Sequence, residues 1–151
     1  MVRFAWPGWW LGLLVGIGPP AAAQQARESP AFELKENYPN PLFASTTIPF
    51  TLHQEACRDG HRPTVSLEVR NVIAQVVAVP VLIEEPARRV QSLRLRCGEY
   101  RAFWDGRYDD GEREATTGVY WYRLTVDGQA QTRKMIVQRR VTSSVDARGG
   151  R

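Results

Sequence analysis

The chain has 151 residues, of which 43% are hydrophobic and 24% charged, with a formal net charge of +4. That is the length of about one domain, and the apolar fraction is enough for a closed core, which excludes a disordered or fibrous chain. The positive charge does not mark a nucleic-acid surface, because it sits at the two ends. Arg3 belongs to the leader described next, four arginines against Asp146 make residues 138–151 basic, and residues 24–137 carry no net charge.

In chain order, Arg3 opens a short positive start, Phe4 to Gly18 is an apolar run, and Pro19-Pro20 leads to Ala21-x-Ala23. This is the pattern of a secretory signal peptide over residues 1–23, with small residues at the cleavage site and a mature start at Gln24. The run is broken by Pro7 and several glycines and falls short of the roughly 20 residues of a membrane-crossing helix. A bacterial exported protein is therefore expected, in the periplasm, on the outer surface or outside the cell, with no stable membrane span after cleavage.

Residues 24–35 read as a linker, and the domain is expected over 36–137. Its apolar residues recur with period two: Ile48, Phe50 and Leu52; then Val65, Leu67 and Val69; then Tyr120, Tyr122, Leu124 and Val126. Successive strand side chains point to opposite faces, so these are half-buried strands. Val76 to Ile83 is an apolar run interrupted by Pro80, which has no amide hydrogen and belongs at an edge or bulge. Ser92 to Leu95, Glu99 to Trp104 and Thr132 to Val137 supply further strands, and no segment carries a helical stripe. The fold class is all-β, an Ig-like antiparallel sandwich of about seven strands. Residues 138–151, rich in Arg, Gly, Ser and Thr, read as a basic flexible tail.

Three features bear on chemistry. Trp104-Asp-Gly-Arg-Tyr-Asp-Asp-Gly111 holds three acids, but a calcium loop of the EF-hand kind requires a ligand at its third position and glycine at its sixth, where this chain has Arg107 and Asp110. Asp105-Gly106 and Asp110-Gly111 are turn dipeptides instead. The two histidines, His53 and His61, fall in or beside a polar loop, and no nucleophile motif, phosphate loop or dinucleotide fingerprint is present. No enzyme, no cofactor and no metal centre are expected. His53-x3-Cys57-x3-His61, with Cys97 far downstream, leaves three alternatives: a disulfide, two free thiols, or a zinc site. An oxidising compartment favours the disulfide.

Glu36-Asn-Tyr-Pro-Asn-Pro41, Thr47-Ile-Pro-Phe50, Trp104-Asp-Gly106, Gly118-Val-Tyr-Trp-Tyr-Arg-Leu124 and Thr132-Arg-Lys-Met135 follow one another in this order. Together they resemble the Ig-like domain of the flagellar hook-capping family (FlgD-type), and they are similar to the sorting domains of type IX secretion cargo. The family pattern has Asp, two residues and Gly-Arg after its second long strand, where this chain has Asn71-Val-Ile-Ala74-Gln75. The resemblance implies a seven-stranded sandwich without an active site.

Two function classes follow. One is a non-catalytic exported module that assembles with another exported or envelope protein or serves as a structural element there. The other is a carbohydrate- or surface-binding module, and a secretion-sorting domain is a third reading. The phase of the strands leaves Trp121, with Arg123 beside it, pointing away from the core, and Phe103 likewise opposite Tyr100. These three residues are the candidate binding face, since large exposed apolar groups mark interaction surfaces.

Overall fold

The computed structural model describes residues 30–139, so the leader over 1–23 and the tail beyond Arg139 lie outside the described residues. Nine strands follow in order: β1 (Phe32–Leu34), β2 (Thr46–Leu52), β3 (Thr64–Arg70), β4 (Val76–Ala78), β5 (Val81–Leu82), β6 (Leu93–Arg94), β7 (Gly98–Trp104), β8 (Gly118–Val126) and β9 (Gln129–Val137), with a 3-10 segment at Gln54–Gly60. They form two antiparallel sheets. The first has the order β1-β2-β7-β5; the second runs β4-β3-β8-β9, with β6 also pairing with β3.

The period-two residues make the core. Ile48, Phe50 and Leu52 from β2 meet Val65, Leu67 and Val69 from β3, Tyr122 and Leu124 from β8, and Met135 and Val137 from β9, all buried. Each fully buried side chain of this size contributes roughly 1.5–3 kcal/mol relative to exposure. Trp104 closes the same layer, tilted against Tyr120 with ring centroids 5.9 Å apart.

The architecture corrects three sequence expectations. Among the described residues there are nine strands rather than about seven, in part because the run from Val76 to Ile83 divides at Pro80. Its first half, β4, pairs with β3 in the second sheet, and its second half, β5, pairs with β7 in the first. Pro80 thus stands where the chain crosses between sheets, and its carbonyl accepts the Val90 amide at 2.8 Å.

The second correction is the start of the domain. Residues 24–35 are not all linker, because Phe32 and Leu34 are buried and β1 pairs with β2 from Phe32↔Leu52 to Leu34↔Phe50. The other edge of β1 meets side chains of β9. Gln131 accepts the Leu34 amide through Oε1 at 2.8 Å and donates Nε2 to the Phe32 carbonyl at 2.9 Å. Arg133 Nε donates to the Leu34 carbonyl at 2.6 Å. An open strand edge invites unwanted pairing, and here a side-chain amide takes the place of the missing strand.

The third correction is at the C-terminal side. The amide of Gln138 donates to the Leu42 carbonyl at 2.8 Å, and Arg139 donates through its guanidinium to the carbonyls of Phe43, Gly106 and Ala115. The domain therefore extends through Arg139, not only to Val137.

Candidate functional site

The three acids after Trp104 are each held within the fold. Asp105 Oδ1 accepts the Arg107 amide at 2.9 Å, and the Trp104 indole donates to the Arg107 carbonyl at 2.7 Å, so one turn is closed from both sides. Gly106 has φ +73°, and a Cβ there would lie 2.5 Å from the Ala44 carbonyl oxygen and 2.6 Å from Arg139 Nη2. Asp109 accepts the Val79 amide at 3.2 Å and pairs with Arg89. Asp110 Oδ1 accepts the amides of Arg113 and Glu112 at 3.0 and 3.1 Å. The Arg113 amide, followed by the Arg113 guanidinium, holds the Asp110 carboxyl below the usual carboxylate range. Arg107, standing where a calcium ligand would be needed, pairs with Glu114 at 2.5 Å. These are stacked turns, each carboxylate serving a backbone amide.

At the other end of the sandwich Cys57 and Cys97 are joined in a disulfide, with Cα atoms 5.9 Å apart. The bond ties the 3-10 segment to the residue before β7. With both sulfurs in that bond, the four-ligand zinc alternative is not assembled. His61 instead bonds Asp127 Oδ2 through Nε2 at 2.8 Å, while Asp127 Oδ1 accepts the Thr64 amide at 2.9 Å. Burial alone would raise the Asp127 carboxyl, but the Thr64 amide and His61 outweigh it and the group is lowered. Among the described residues no group of three or more His, Cys, Asp and Glu is placed to hold a metal, and no helix is long and apolar enough to cross a membrane.

The predicted face divides. Trp121 and Arg123 both lie on the outer side of β8 in the second sheet, and Trp121, 40% exposed, stands between buried Tyr120 and Tyr122. Phe103 is exposed too, but it stands on β7 in the first sheet, opposite Thr47 and Val81. It lines a separate depression of about 300 Å³ with Pro80, Arg89 and Tyr108. Phe103 is therefore not part of a face with Trp121, because strand phase gives inward or outward but not which sheet.

What surrounds Trp121 is aliphatic and cationic. Directly across it are Arg70 on β3 and Lys134 on β9, and Val119 stands across from Ile136. Val76, partnered with Arg70, continues the same face on β4. Val119, Ile136 and Val76 are all exposed, and the β3–β4 connection adds Val72 at 73% and Ile73 at 77%. These apolar residues gather at one end of the sheet. The connection is held by Asn71, whose Oδ1 accepts the amides of Ile73 and Gln75 at 3.2 and 3.0 Å and whose Nδ2 donates to Gln75 Oε1 at 3.1 Å. Ala74 takes the left-handed conformation, φ +63°, at the position where the resembled family has glycine. Between this connection and the indole lies a depression of about 270 Å³, lined by Arg70, Asn71, Val72, Ala74, Trp121 and Arg123.

Sequence reasoning found Trp121 and Arg123 but missed Val72, Ile73, Val76 and Ile136. The signal for Ile136 was present, since it alternates with Met135 and Val137 on β9. Val72 and Ile73 look like strand residues, and only the Asn71 turn places them in solvent. Comparison with protein-family models, curated proteins and solved structures gave no match for this chain.

Proposed function

We propose that this chain is a non-catalytic exported Ig-like module of the flagellar hook-capping kind, acting in protein–protein assembly at the bacterial cell envelope. The observation that carries the reading is the outer face of the second sheet, where Trp121, Val119, Val76, Ile136, Val72 and Ile73 are exposed together on a stiff β scaffold. Contiguous apolar area of this kind, rimmed by polar groups, is what docking surfaces present. The disulfide fits an exported location, since such bonds persist in oxidising compartments. Export from the leader over 1–23 is part of the same proposal.

A carbohydrate platform is less favoured by the same face. Trp121 is the one exposed aromatic on β3, β4, β8 and β9, its neighbours are aliphatic or cationic rather than aromatic, and Phe103 belongs to the other sheet. The test pairs a thermal melt with a pull-down from envelope fractions for wild type and Trp121→Ala. The expected result is a fold nearly as stable and a loss of partner affinity of about 1–2 kcal/mol or more, as hot-spot aromatics give. A large stability loss would make Trp121 structural, and unchanged recovery would leave the domain a spacer.

A further inference from the structure

We infer that the Trp121 face receives an extended acidic segment of a partner protein, one that carries a large apolar side chain between carboxylates. The inference rests on the docking reading above and adds the chemistry of the occupant. Its basis is an excess of cations on this face, beside an exposed indole; Arg58, Arg62, Arg94 and Arg96, outside it, also make no ion pair among the described residues. Most cations of the sandwich are spent on neighbours: Arg101 on Glu84, Arg107 on Glu114, Arg113 on Asp110, Arg89 on Asp109 and Lys35 on Glu99. On the outward positions of β3, β8 and β9 the cations are Arg70, Arg123 and Lys134, and Glu68 is the only acid. Arg70 takes Glu68 through Nη2 at 2.7 Å and Nε at 3.1 Å. The side chains of Arg123 and Lys134 make no hydrogen bond or ion pair among the described residues, although Glu68 stands directly across from Arg123 and gives its carboxylate to Arg70 instead.

The placement of those two cations defines the ligand. Arg123 lies two residues along β8 from Trp121, about 7 Å away on the same face, and Lys134 lies across from the indole on β9. The depression beside Trp121 is apolar on the side of Val72 and Ala74 and cationic on the side of Arg70 and Arg123. An apolar side chain fits the first, and carboxylates on the flanking residues reach Arg123 and Lys134. Arginine and an indole together also suit a carboxylate beside an apolar group.

The same charges argue against a second copy of this chain, because stacking two such faces would set unpaired cations on unpaired cations. They are compatible with an anionic bilayer, but the shape is not the better fit. Val72 and Ile73 do protrude together at the β3–β4 turn, but Trp121, Arg123 and Lys134 lie along the flat of the sheet beside a depression, an arrangement that an extended segment follows and a bilayer surface does not.

The probes are three synthetic peptides with one central leucine, flanked by aspartates, by asparagines or by lysines. Each is titrated at low salt into the disulfide-intact chain while the backbone amides of β8 and β9 are followed by NMR, a readout that survives in Trp121→Ala. The aspartate peptide is expected to bind about tenfold more tightly than the asparagine peptide, the scale of two exposed ion pairs, with the gap closing as salt is added. Arg123→Glu is expected to remove that gap, and Trp121→Ala to abolish binding of both peptides. Equal binding of the aspartate and asparagine peptides, lost in Trp121→Ala, would overturn the acidic inference and leave the docking reading standing. No response to any peptide would overturn the inference and count against the docking reading as well. A response only to vesicles of phosphatidylglycerol and phosphatidylcholine would replace the protein segment with a membrane surface.

Discussion

The phenol oxygen of Tyr122 accepts the backbone amide of Asn37 at 3.1 Å and donates its own proton to the Lys35 carbonyl at 3.0 Å. One side chain of β8, buried in the core, thus fixes the chain as it leaves β1. Asn37 is itself buried, and its Nδ2 donates to Thr46 Oγ1 at 3.0 Å, so the anchor reaches the first residue of β2. Tyr122→Phe keeps the ring and strips the anchor, and it is expected to cost about 1–3 kcal/mol, the scale of a buried amide left without a partner. Denaturant midpoints of the two proteins measure it.

Burial also pushes the Tyr122 phenol above the ordinary tyrosine range. A group raised in the folded state adds stability that is complete below its unfolded value, about pH 10, and is lost as pH climbs toward the folded value. Unfolding free energy is therefore expected to fall on the alkaline side of about pH 10. The limb should be shallower in Tyr122→Phe, which has no phenol to ionise at that position.

The disulfide closes a separation of 40 residues between the 3-10 segment and the start of β7. Constraining the unfolded chain over that length is worth about 4 kcal/mol in the chain-entropy treatment. Reduction is expected to lower the denaturant midpoint accordingly, and intact mass should rise by about two mass units, one hydrogen per sulfur. Free thiols on the native protein would contradict the bond.

Gly106 combines a left-handed backbone with a position where a Cβ would run into the Ala44 carbonyl and the Arg139 guanidinium. Gly106→Ala is expected to destabilise by about 2 kcal/mol or more, from strain and loss of the Arg139 contacts together. A thermal melt reads the change, and an effect near zero would show that the turn can relax around the methyl group.

Ala74 is the reverse case. Its φ of +63° is costly for an L-residue, and the turn holds it because Asn71 binds the amides of Ile73 and Gln75. Ala74→Gly relieves the strain and gives back part of the gain as unfolded-chain entropy, so a net stabilisation of about 0.5 kcal/mol is expected. Destabilisation in a chemical melt would mean that the Ala74 methyl does more by packing beside Val72 and Trp121 than it costs in backbone strain.

Much of this was legible in the residues themselves. The alternation of Tyr120, Tyr122 and Leu124 with Val119, Trp121 and Arg123 gave the inward and outward sides of β8, because a strand has a period of two whatever sheet it joins. Phe103 shows where that reasoning ends: its outward phase was right, but pairing β7 with β2 and β5 puts it on the other sheet. β1 was hidden for a different reason. Three residues, Phe32-Glu-Leu34, are too few to display a period, and their place depends on Gln131 and Arg133 from the far end of the chain. The apolar cluster beside Trp121 was unreadable in part because Val72 and Ile73 continue the β-rich composition of β3, and only the side chain of Asn71 turns the backbone there.

The central claim, that the outer face of the second sheet docks a protein, is tested most directly by a photo-crosslinking amino acid placed at Val119 and activated in cells of the native host. Val119 is exposed and stands across from Ile136 at the apolar end of the face. The account expects one defined covalent adduct with another exported protein, and expects it to vanish when Trp121→Ala is introduced in the same chain. No adduct, or an adduct that persists without the indole, would contradict it.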